Sequence, residues 1–99
     1  MIHLEHKGIK IATLEVVESD QPWHYCEFTP SNNFNDHKKF FEDFQKEYQS
    51  HEVEDWDKHF GKLISNGYKL VSGDRKCERF TLLFEGSHVR LRGQFVKTT

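Results

Sequence analysis

Two segments of alternating apolar and polar residues, one near each end of the chain, constrain the fold most strongly. The first comprises residues 2–13 and has Lys7-Gly8 at its centre. Alternation is typical of strands with one buried face, and a two-residue connection that contains glycine is typical of a tight hairpin. The register that brings both apolar sets to one face gives three pairs: His6 with Ile9, Leu4 with Ile11, and Ile2 with Thr13.

After Ile11 the apolar residues change from odd to even positions, at Ala12, Leu14 and Val16, and Val17 is also apolar. This shift predicts either a β-bulge or a strand that is apolar on both faces.

The second alternating segment comprises residues 79–95 and turns at Gly86-Ser87. Glycine at the first of two loop positions suits a type II′ turn. A two-residue loop there gives one apolar face with three pairs: Phe84 with Val89, Leu82 with Leu91, and Phe80 with Gly93. The opposite face carries polar residues and one leucine: Arg79, Thr81, Leu83, Glu85, His88, Arg90, Arg92 and Gln94.

Between the two hairpins, apolar residues recur at helical spacing in two stripes. The first consists of Phe34, His37, Phe41, Phe44 and Tyr48, and the second of Val53, Trp56, Phe60, Leu63 and Ile64. Spacings of three and four residues predict two amphipathic helices, with a short break near Gln49-Ser50-His51. The acidic residues Glu52, Glu54 and Asp55 suit the start of the second helix, and Asn66-Gly67 suits a left-handed cap at its end.

The remaining segments complete an α+β fold. Residues 18–22 and 29–33 have loop composition, residues 23–28 and 68–71 have strand composition, and Ser72-Gly73-Asp74 predicts a turn. We therefore expect a single domain, residues 1–99, with an antiparallel sheet of five or six strands in the order βββ-αα-βββ. Both helices are expected to pack on one face of the sheet, because each must bury its apolar stripe.

The composition is that of a small folded domain. The 99 residues include 35% apolar residues and nine phenylalanines, and the net charge is −2. No stretch resembles a signal peptide or reaches the roughly 18 apolar residues of a membrane span, so we expect a cytoplasmic protein. Cys26 and Cys77 are too few for a disulfide framework. They are expected to be reduced thiols, with one disulfide as the alternative if their strands are neighbours.

Groups suited to catalysis or metal binding are present but isolated. His24 and Cys26 share a strand face, yet a closed zinc site needs four ligands and no second close pair exists. Asp55 and His59 are one helical turn apart, as in an acid–base pair, but no nucleophile accompanies them. No phosphate, dinucleotide or metalloprotease motif occurs. We therefore predict no catalytic residue, no metal and no cofactor, with a small enzyme that uses histidine or cysteine groups as an alternative.

The clearest functional signal is the distribution of arginine. All four arginines lie in residues 67–99, which carry seven basic and three acidic side chains. Arg79, Arg90 and Arg92, with His88, fall on the polar face of the second hairpin. Because arginine binds carboxylates and phosphates through a planar fork, they predict a surface for an acidic protein or an anionic ligand. Nucleic acid is disfavoured, because single-strand platforms carry stacking aromatic residues and this hairpin face has none.

The same face has a purely structural interpretation. Glu85 can pair across the strands with His88 or Arg90, which leaves an ordinary solvated surface.

A second candidate site is an aromatic pocket with one carboxylate, formed by Asp20, Trp23 and Tyr25, with Gln21, Pro22 and Phe28 as further lining residues. Ligand pockets combine ring surfaces with a few polar groups in this way. The structural alternative places Trp23 in the core between the sheet and the helices.

Residues 20–41 resemble a pattern in small, uncharacterised bacterial proteins. The pattern is Asp20-x-Pro22-Trp23, then Phe28-x-Pro30, then Phe34 and Phe41. The segment Val89-Arg90-Leu91-Arg92-Gly93 is similar more loosely. The resemblance implies a bacterial origin and no particular chemistry.

Three functional hypotheses follow. The first is a non-catalytic binding module that uses the arginine-bearing sheet face. The second is an immunity- or antitoxin-like inhibitor, whose acidic helix surface attracts a basic toxin through Glu42, Asp43, Glu47, Glu54, Asp55 and Asp57. The third is the small enzyme with an aromatic pocket. A homodimer formed through exposed strand edges is compatible with each of them.

Overall fold

The chain folds into an antiparallel sheet with two α-helices. A computed structural model describes residues 1–50 and 56–98. The strands are β1 (Ile2–His6), β2 (Ile9–Asp20), β3 (Trp23–Pro30), β4 (Tyr68–Ser72), β5 (Arg75–Cys77), β6 (Phe80–Glu85), β7 (His88–Gly93) and β8 (Val96–Lys97). The helical elements are a 3-10 helix (Asn32–Asp36), α1 (Lys38–Ser50) and α2 (Trp56–Ser65).

The strands form a single sheet in the order β6-β7-β3-β2-β1-β4-β5-β8, which curls into a half-barrel. The α+β class and the antiparallel pairing are confirmed, but the predicted five or six strands were too few. The two strands missed are β5, with three residues, and β8, with two. Strands this short show too little alternation to be recognised in a sequence. They form because the edge of β4 supplies hydrogen bonds to β5, which in turn supplies them to β8.

The first hairpin is present, with a bulge that changes its register. The pairing of His6 with Ile9 is confirmed, but Ile11 is an extra residue in β2. The later pairs predicted for Leu4 and Ile2 were therefore wrong, and the observed pairs are Leu4 with Ala12 and Ile2 with Leu14. The bulge explains the change of apolar phase, because it lets both Ile11 and its neighbour be buried while Ile9 stays exposed.

The segment predicted as a loop at residues 18–22 is mostly strand. β2 continues to Asp20, and Asp20 pairs directly with Trp23 of β3. Only Gln21 and Pro22 lie in the turn. Proline is compatible with the hairpin because it occupies the connection rather than either strand.

The second hairpin has the predicted register throughout, with the pairs Phe84–Val89, Leu82–Leu91 and Phe80–Gly93. Gly93 is approached closely by Phe80, its partner on β6, and by Cys77 of β5. A Cβ atom at this position would lie 2.7 Å from both Cys77 Sγ and Phe80 Cβ. Glycine is therefore required here by space rather than by backbone conformation.

The first helical stripe is divided between two elements. Phe34 belongs to the 3-10 helix, and α1 begins only at Lys38. The predicted break and the acidic start of the second helix lie largely at residues 51–55, outside the described residues. The φ of 92° at Gly67 confirms the left-handed position after α2. No helix in the described ranges is long and apolar enough to cross a membrane.

The core lies between the curled sheet and the helices. Its buried side chains come from strands β1 to β7 and from all three helical elements. Strand β6 is covered on both faces, because Phe80, Thr81 and Leu82 are consecutive and all fully buried. Thr81, which was predicted on the solvated face, is covered by α2, whose His59 forms a hydrogen bond with it.

The two cysteines are separate, buried thiols. Cys26 lies on β3 and Cys77 on β5, and three strands stand between them in the sheet. The alternative of a disulfide therefore does not arise. Burial raises the pKa of each thiol to about 11, so both are protonated at neutral pH and unreactive as nucleophiles.

Candidate functional site

Strand order brings the two residue sets predicted as sites onto one surface. Strands β3 and β7 are neighbours, and Tyr25 lies directly opposite Arg90. Because side chains alternate along a strand, the surface around Arg90 is shared by Trp23, Tyr25, His88 and Arg92. We call these five residues the arginine face.

Both arginines of this face have partners within the protein. Arg90 Nε lies 2.8 Å from Glu85 Oε1, which is the cross-strand pair of the structural interpretation. The Arg92 guanidinium lies over two rings, 5.9 Å from the centroid of Trp23 and 5.6 Å from that of Phe60 on α2. Such cation–π contacts hold the side chain against the protein.

Two of the predicted site residues lie at the margins of the arginine face. Arg79 precedes β6, and its Nη2 lies 2.9 Å from the Asp57 carboxylate and 3.1 Å from the Asp57 carbonyl oxygen. It therefore links the sheet to α2. Asp20 is exposed and lies across the turn from Trp23, so it borders the face at its opposite end.

The arginine face contains aromatic rings that the hairpin alone lacks. Tyr25 stacks on His88 with 5.0 Å between ring centroids and 9° between the planes, and Trp23 lies under Arg92. The absence of aromatic residues, which counted against nucleic acid, applies to the β6–β7 hairpin but not to the completed sheet. The pairing of β3 with β7 decides this, and no residue pattern within either strand could have shown it.

A second site, which the sequence did not predict as a whole, lies between α1 and the sheet. Phe28, which was predicted to line the aromatic pocket with Trp23 and Tyr25, lies on the opposite face of β3 from them and lines this second site instead. The site is an open groove of about 760 Å³, a size typical of ligand sites. We call it the phenylalanine groove, because its floor is formed by Phe28, Phe34, Phe41 and Phe84. Its rim is mostly polar and includes Asn32, Asn35, Lys38, Glu42, Lys46 and Gln49.

The floor of the phenylalanine groove is a cluster of four rings, of which three pairs are in edge-to-face contact. The Phe28 centroid lies 5.0 Å from those of both Phe34 and Phe84. The Phe41 centroid lies 5.8 Å from that of Phe84. Phe34 and Phe41 are only 7% and 2% exposed, whereas Phe28 and Phe84 are half-buried. The ring surface open to a ligand therefore comes mainly from Phe28 and Phe84.

The rim of the groove carries an excess of positive charge. Lys38 and Lys46 lie two helical turns apart on α1 with Glu42 between them, and all three are exposed. Among the ion pairs of the described residues, α1 contributes Lys39–Asp43 and Glu47–Lys62, and none involves these three rim residues. The charged residues of the rim therefore sum to a net charge of +1.

Gln45 forms one wall of the groove and binds the edge of the sheet. Its Nε2 donates a hydrogen bond to the Phe84 carbonyl oxygen at 3.0 Å, and its Oε1 accepts one from the Phe84 amide at 2.6 Å. β6 is the last strand on this side of the sheet. The Gln45 amide therefore occupies the place that a peptide group of a neighbouring strand would take.

The inward-facing histidines are bonded to hydroxyl groups. His59 Nε2 lies 3.0 Å from Thr81 Oγ1, and His37 Nδ1 lies 2.7 Å from Tyr68 OH. Burial lowers the pKa of both histidines. Thr81 is fully buried, so its hydroxyl cannot reach a substrate. Asp55, the predicted partner of His59, lies outside the described residues, within which no three histidine, cysteine or acidic side chains converge as a metal site requires.

One residue of the groove had a recognisable signal in the sequence. Gln45 follows Phe41 by four residues and precedes Tyr48 by three, so it lies within the apolar stripe of α1. A polar side chain at such a position needs a hydrogen-bond partner. That partner, the free edge at Phe84, is 39 residues away and is supplied only by the tertiary fold.

Comparison with known proteins identifies no relative. No family model, no curated protein and no solved structure matches the chain.

Proposed function

We propose that this protein is a non-catalytic binding module whose ligand site is the phenylalanine groove. The observation that carries the proposal is the half-buried ring surface of Phe28 and Phe84 at the bottom of an open groove with a polar rim. Apolar walls with a few polar groups are the usual composition of a ligand site. The groove is therefore suited to a ligand with an aromatic or aliphatic group that covers these two rings.

Indole is a suitable probe for this proposal, because it stacks on aromatic rings and carries one hydrogen-bond donor. We expect indole, titrated into the labelled protein, to shift the NMR signals of residues lining the groove. Asn35→Trp should abolish those shifts by filling the groove from its exposed rim. Asn33→Trp is the matched control, because Asn33 lies on the same 3-10 helix and is exposed but is not part of the lining. Shifts that are absent in the wild type, or that survive Asn35→Trp, would contradict the proposal.

A second candidate function uses the arginine face, as the distribution of arginines suggested. The observation that favours it is the Tyr25–His88 stack beside Arg90, because planar anionic ligands bind where rings and cations lie together. The Arg90–Glu85 ion pair is solvent-exposed, and such pairs contribute only about 0–1 kcal/mol. An anionic ligand can therefore replace Glu85 at little cost.

A short single-stranded oligonucleotide tests this second function. Binding should weaken in Arg90→Gln and remain unchanged in Arg75→Gln, because Arg75 is an exposed arginine on β5, outside the face. Equal losses in both variants would indicate non-specific charge attraction and would exclude a specific site.

The inhibitor hypothesis remains a prediction with less support. Three of its acidic residues have basic neighbours within the protein, in the pairs Asp43–Lys39, Glu47–Lys62 and Asp57–Arg79. Glu54 and Asp55 lie outside the described residues.

A further inference from the structure

On β6, the end at Phe84, beside the phenylalanine groove, is a place where a further strand could be added, whereas Phe80, Thr81 and Leu82 are fully buried. In the β6–β7 hairpin, Glu85 and His88 close a two-residue loop and exchange hydrogen bonds. The alternation of an antiparallel ladder then turns the N–H and C=O of Phe84 away from β7. These groups point towards α1, where Gln45 meets them.

Gln45 binds this edge in a way that a peptide can reproduce. One side-chain amide both donates to and accepts from the same residue, as the main chain of a paired strand does. The Gln45 side chain has several rotatable bonds and is only half-buried, so it can turn away without disrupting α1. Because a peptide that displaced it would restore both hydrogen bonds, the exchange leaves no buried polar group of Phe84 unsatisfied.

The groove and this edge are continuous. Gln45 and Phe84 both belong to the lining, together with Gly86 and Ser87 of the hairpin turn. An extended chain paired with β6 at Phe84 would place alternate side chains towards Phe28 and Phe84. The same chain would pass Lys38 and Lys46 on the rim, whose positive charges have no acidic partner among the described ion pairs.

We propose that the ligand is an extended, acidic peptide segment that pairs with the end of β6 at Phe84 and displaces Gln45. This inference rests on the proposed function of the groove and adds the class of ligand and its mode of binding. Addition of a peptide strand to a sheet edge is a general recognition mode, in which main-chain hydrogen bonds provide affinity and pockets for alternate side chains provide specificity. Here the floor would select apolar side chains, and the rim would select acidic ones.

The probe is the capped hexapeptide Glu-Val-Glu-Val-Glu-Val, which alternates apolar and acidic residues. We expect it to shift the NMR signal of the Phe84 amide and to bind at least about tenfold more tightly than its Lys-Val counterpart. Methylation of alternate peptide nitrogens, which removes one row of donors, should weaken binding by about tenfold or more. If the methylated peptide binds equally well, no strand is added and the inference is wrong.

Two substitutions in α1 test the roles assigned to the rim and to Gln45. Lys46→Gln should weaken the acidic peptide by about threefold or more, whereas Lys39→Gln, at an exposed lysine outside the lining, should not. Gln45→Ala should tighten binding by about threefold or more, because the competing amide is absent. Unchanged or weaker binding by Gln45→Ala would overturn the displacement.

The indole titration separates this inference from the proposed function. If indole occupies the groove and the peptide does not bind, the groove remains a ligand site and the peptide inference fails. If neither binds, both fail.

Discussion

The arginine face and the phenylalanine groove lie on opposite sides of the β6–β7 hairpin. They differ in how many of their charged side chains have partners within the protein. On the arginine face, Arg90 is paired with Glu85, and Arg92 lies over the rings of Trp23 and Phe60. In the groove, the rings of Phe28 and Phe84 are half-buried, and the rim lysines Lys38 and Lys46 have no acidic partner among the described ion pairs. A cluster of charged residues in a sequence is thus weak evidence for a binding surface, because neighbouring strands and helices can neutralise it.

The largest expected effect is a loss of stability when an aromatic ring of the groove floor is removed, compared with removal of a ring from the arginine face. Phe41→Ala should lower the free energy of unfolding by about 3–5 kcal/mol, because Phe41 is 2% exposed and joins the groove floor to the core. Tyr25→Ala should cost less, about 1–2 kcal/mol, because Tyr25 is half-buried and stacks mainly on His88. Urea denaturation measures both. If both substitutions lowered the free energy of unfolding equally, the arginine face would be as much a part of the core as the groove floor.

Gly93→Ala tests the packing behind the arginine face. The added Cβ would collide with Cys77 Sγ and Phe80 Cβ, so we expect a loss of about 1–3 kcal/mol. Gly61→Ala is the control, because its nearest contact would be a tolerable 3.6 Å to Arg79 and alanine favours helix over glycine by about 0.5–1 kcal/mol. A neutral Gly93→Ala, measured by thermal or urea unfolding, would show that the strands can move apart at this point.

Acidification should lower the stability of the protein but leave the affinity of the groove for indole unchanged. Burial lowers the pKa of His59 and of His37 in the folded protein, so the unfolded chain takes up protons first as the pH falls. Stability is therefore fully present above the ordinary histidine pKa of about 6.5 and declines below it. Urea denaturation at several pH values measures this decline, which should be smaller in His59→Gln.

Among the described residues, none of those that line the groove is a histidine. Indole affinity of the folded protein should therefore stay constant over the same pH range. A parallel loss of affinity and stability would show that the two regions are coupled.

The smallest expected effect concerns the Arg90–Glu85 pair. Arg90→Gln should change the free energy of unfolding by no more than about 1 kcal/mol, because the pair is exposed and screened by salt. The small difference between Arg90→Gln and wild type should shrink further at high ionic strength. A larger or salt-independent effect would mean that this pair holds β6 to β7.

Several elements of the fold could be predicted because their causes are local. The pairs of the second hairpin follow from alternation on either side of Gly86-Ser87, and Gly67 ends α2 through its own backbone conformation. The bulge at Ile11 was predicted only as one of two options, because a shift of apolar phase does not identify the residue that is extra. Strands β5 and β8 could not be predicted, because their only cause is the edge beside them.

The candidate sites show the same division. The arginines and the aromatic residues of the arginine face were predicted as two separate sites. They lie on one surface only because β3 pairs with β7. Phe34, Phe41 and Phe84 were assigned to apolar faces of a helix and a strand, and Phe28 to the end of a strand. The rings of Phe28 and Phe84 are half-buried. Their partial exposure depends on how α1 and the 3-10 helix meet the end of the sheet.

The sequence by itself determined the two terminal hairpins, the two amphipathic helices and the α+β class, because turn geometry and the periodicity of apolar residues act over a few neighbouring positions. Tertiary structure alone decided which strands are neighbours, that Arg90 and Arg92 are already engaged, and that Gln45 binds the free edge of β6. Each of these depends on contacts between residues far apart in the chain. Such contacts form only when burial of the core has brought the elements together.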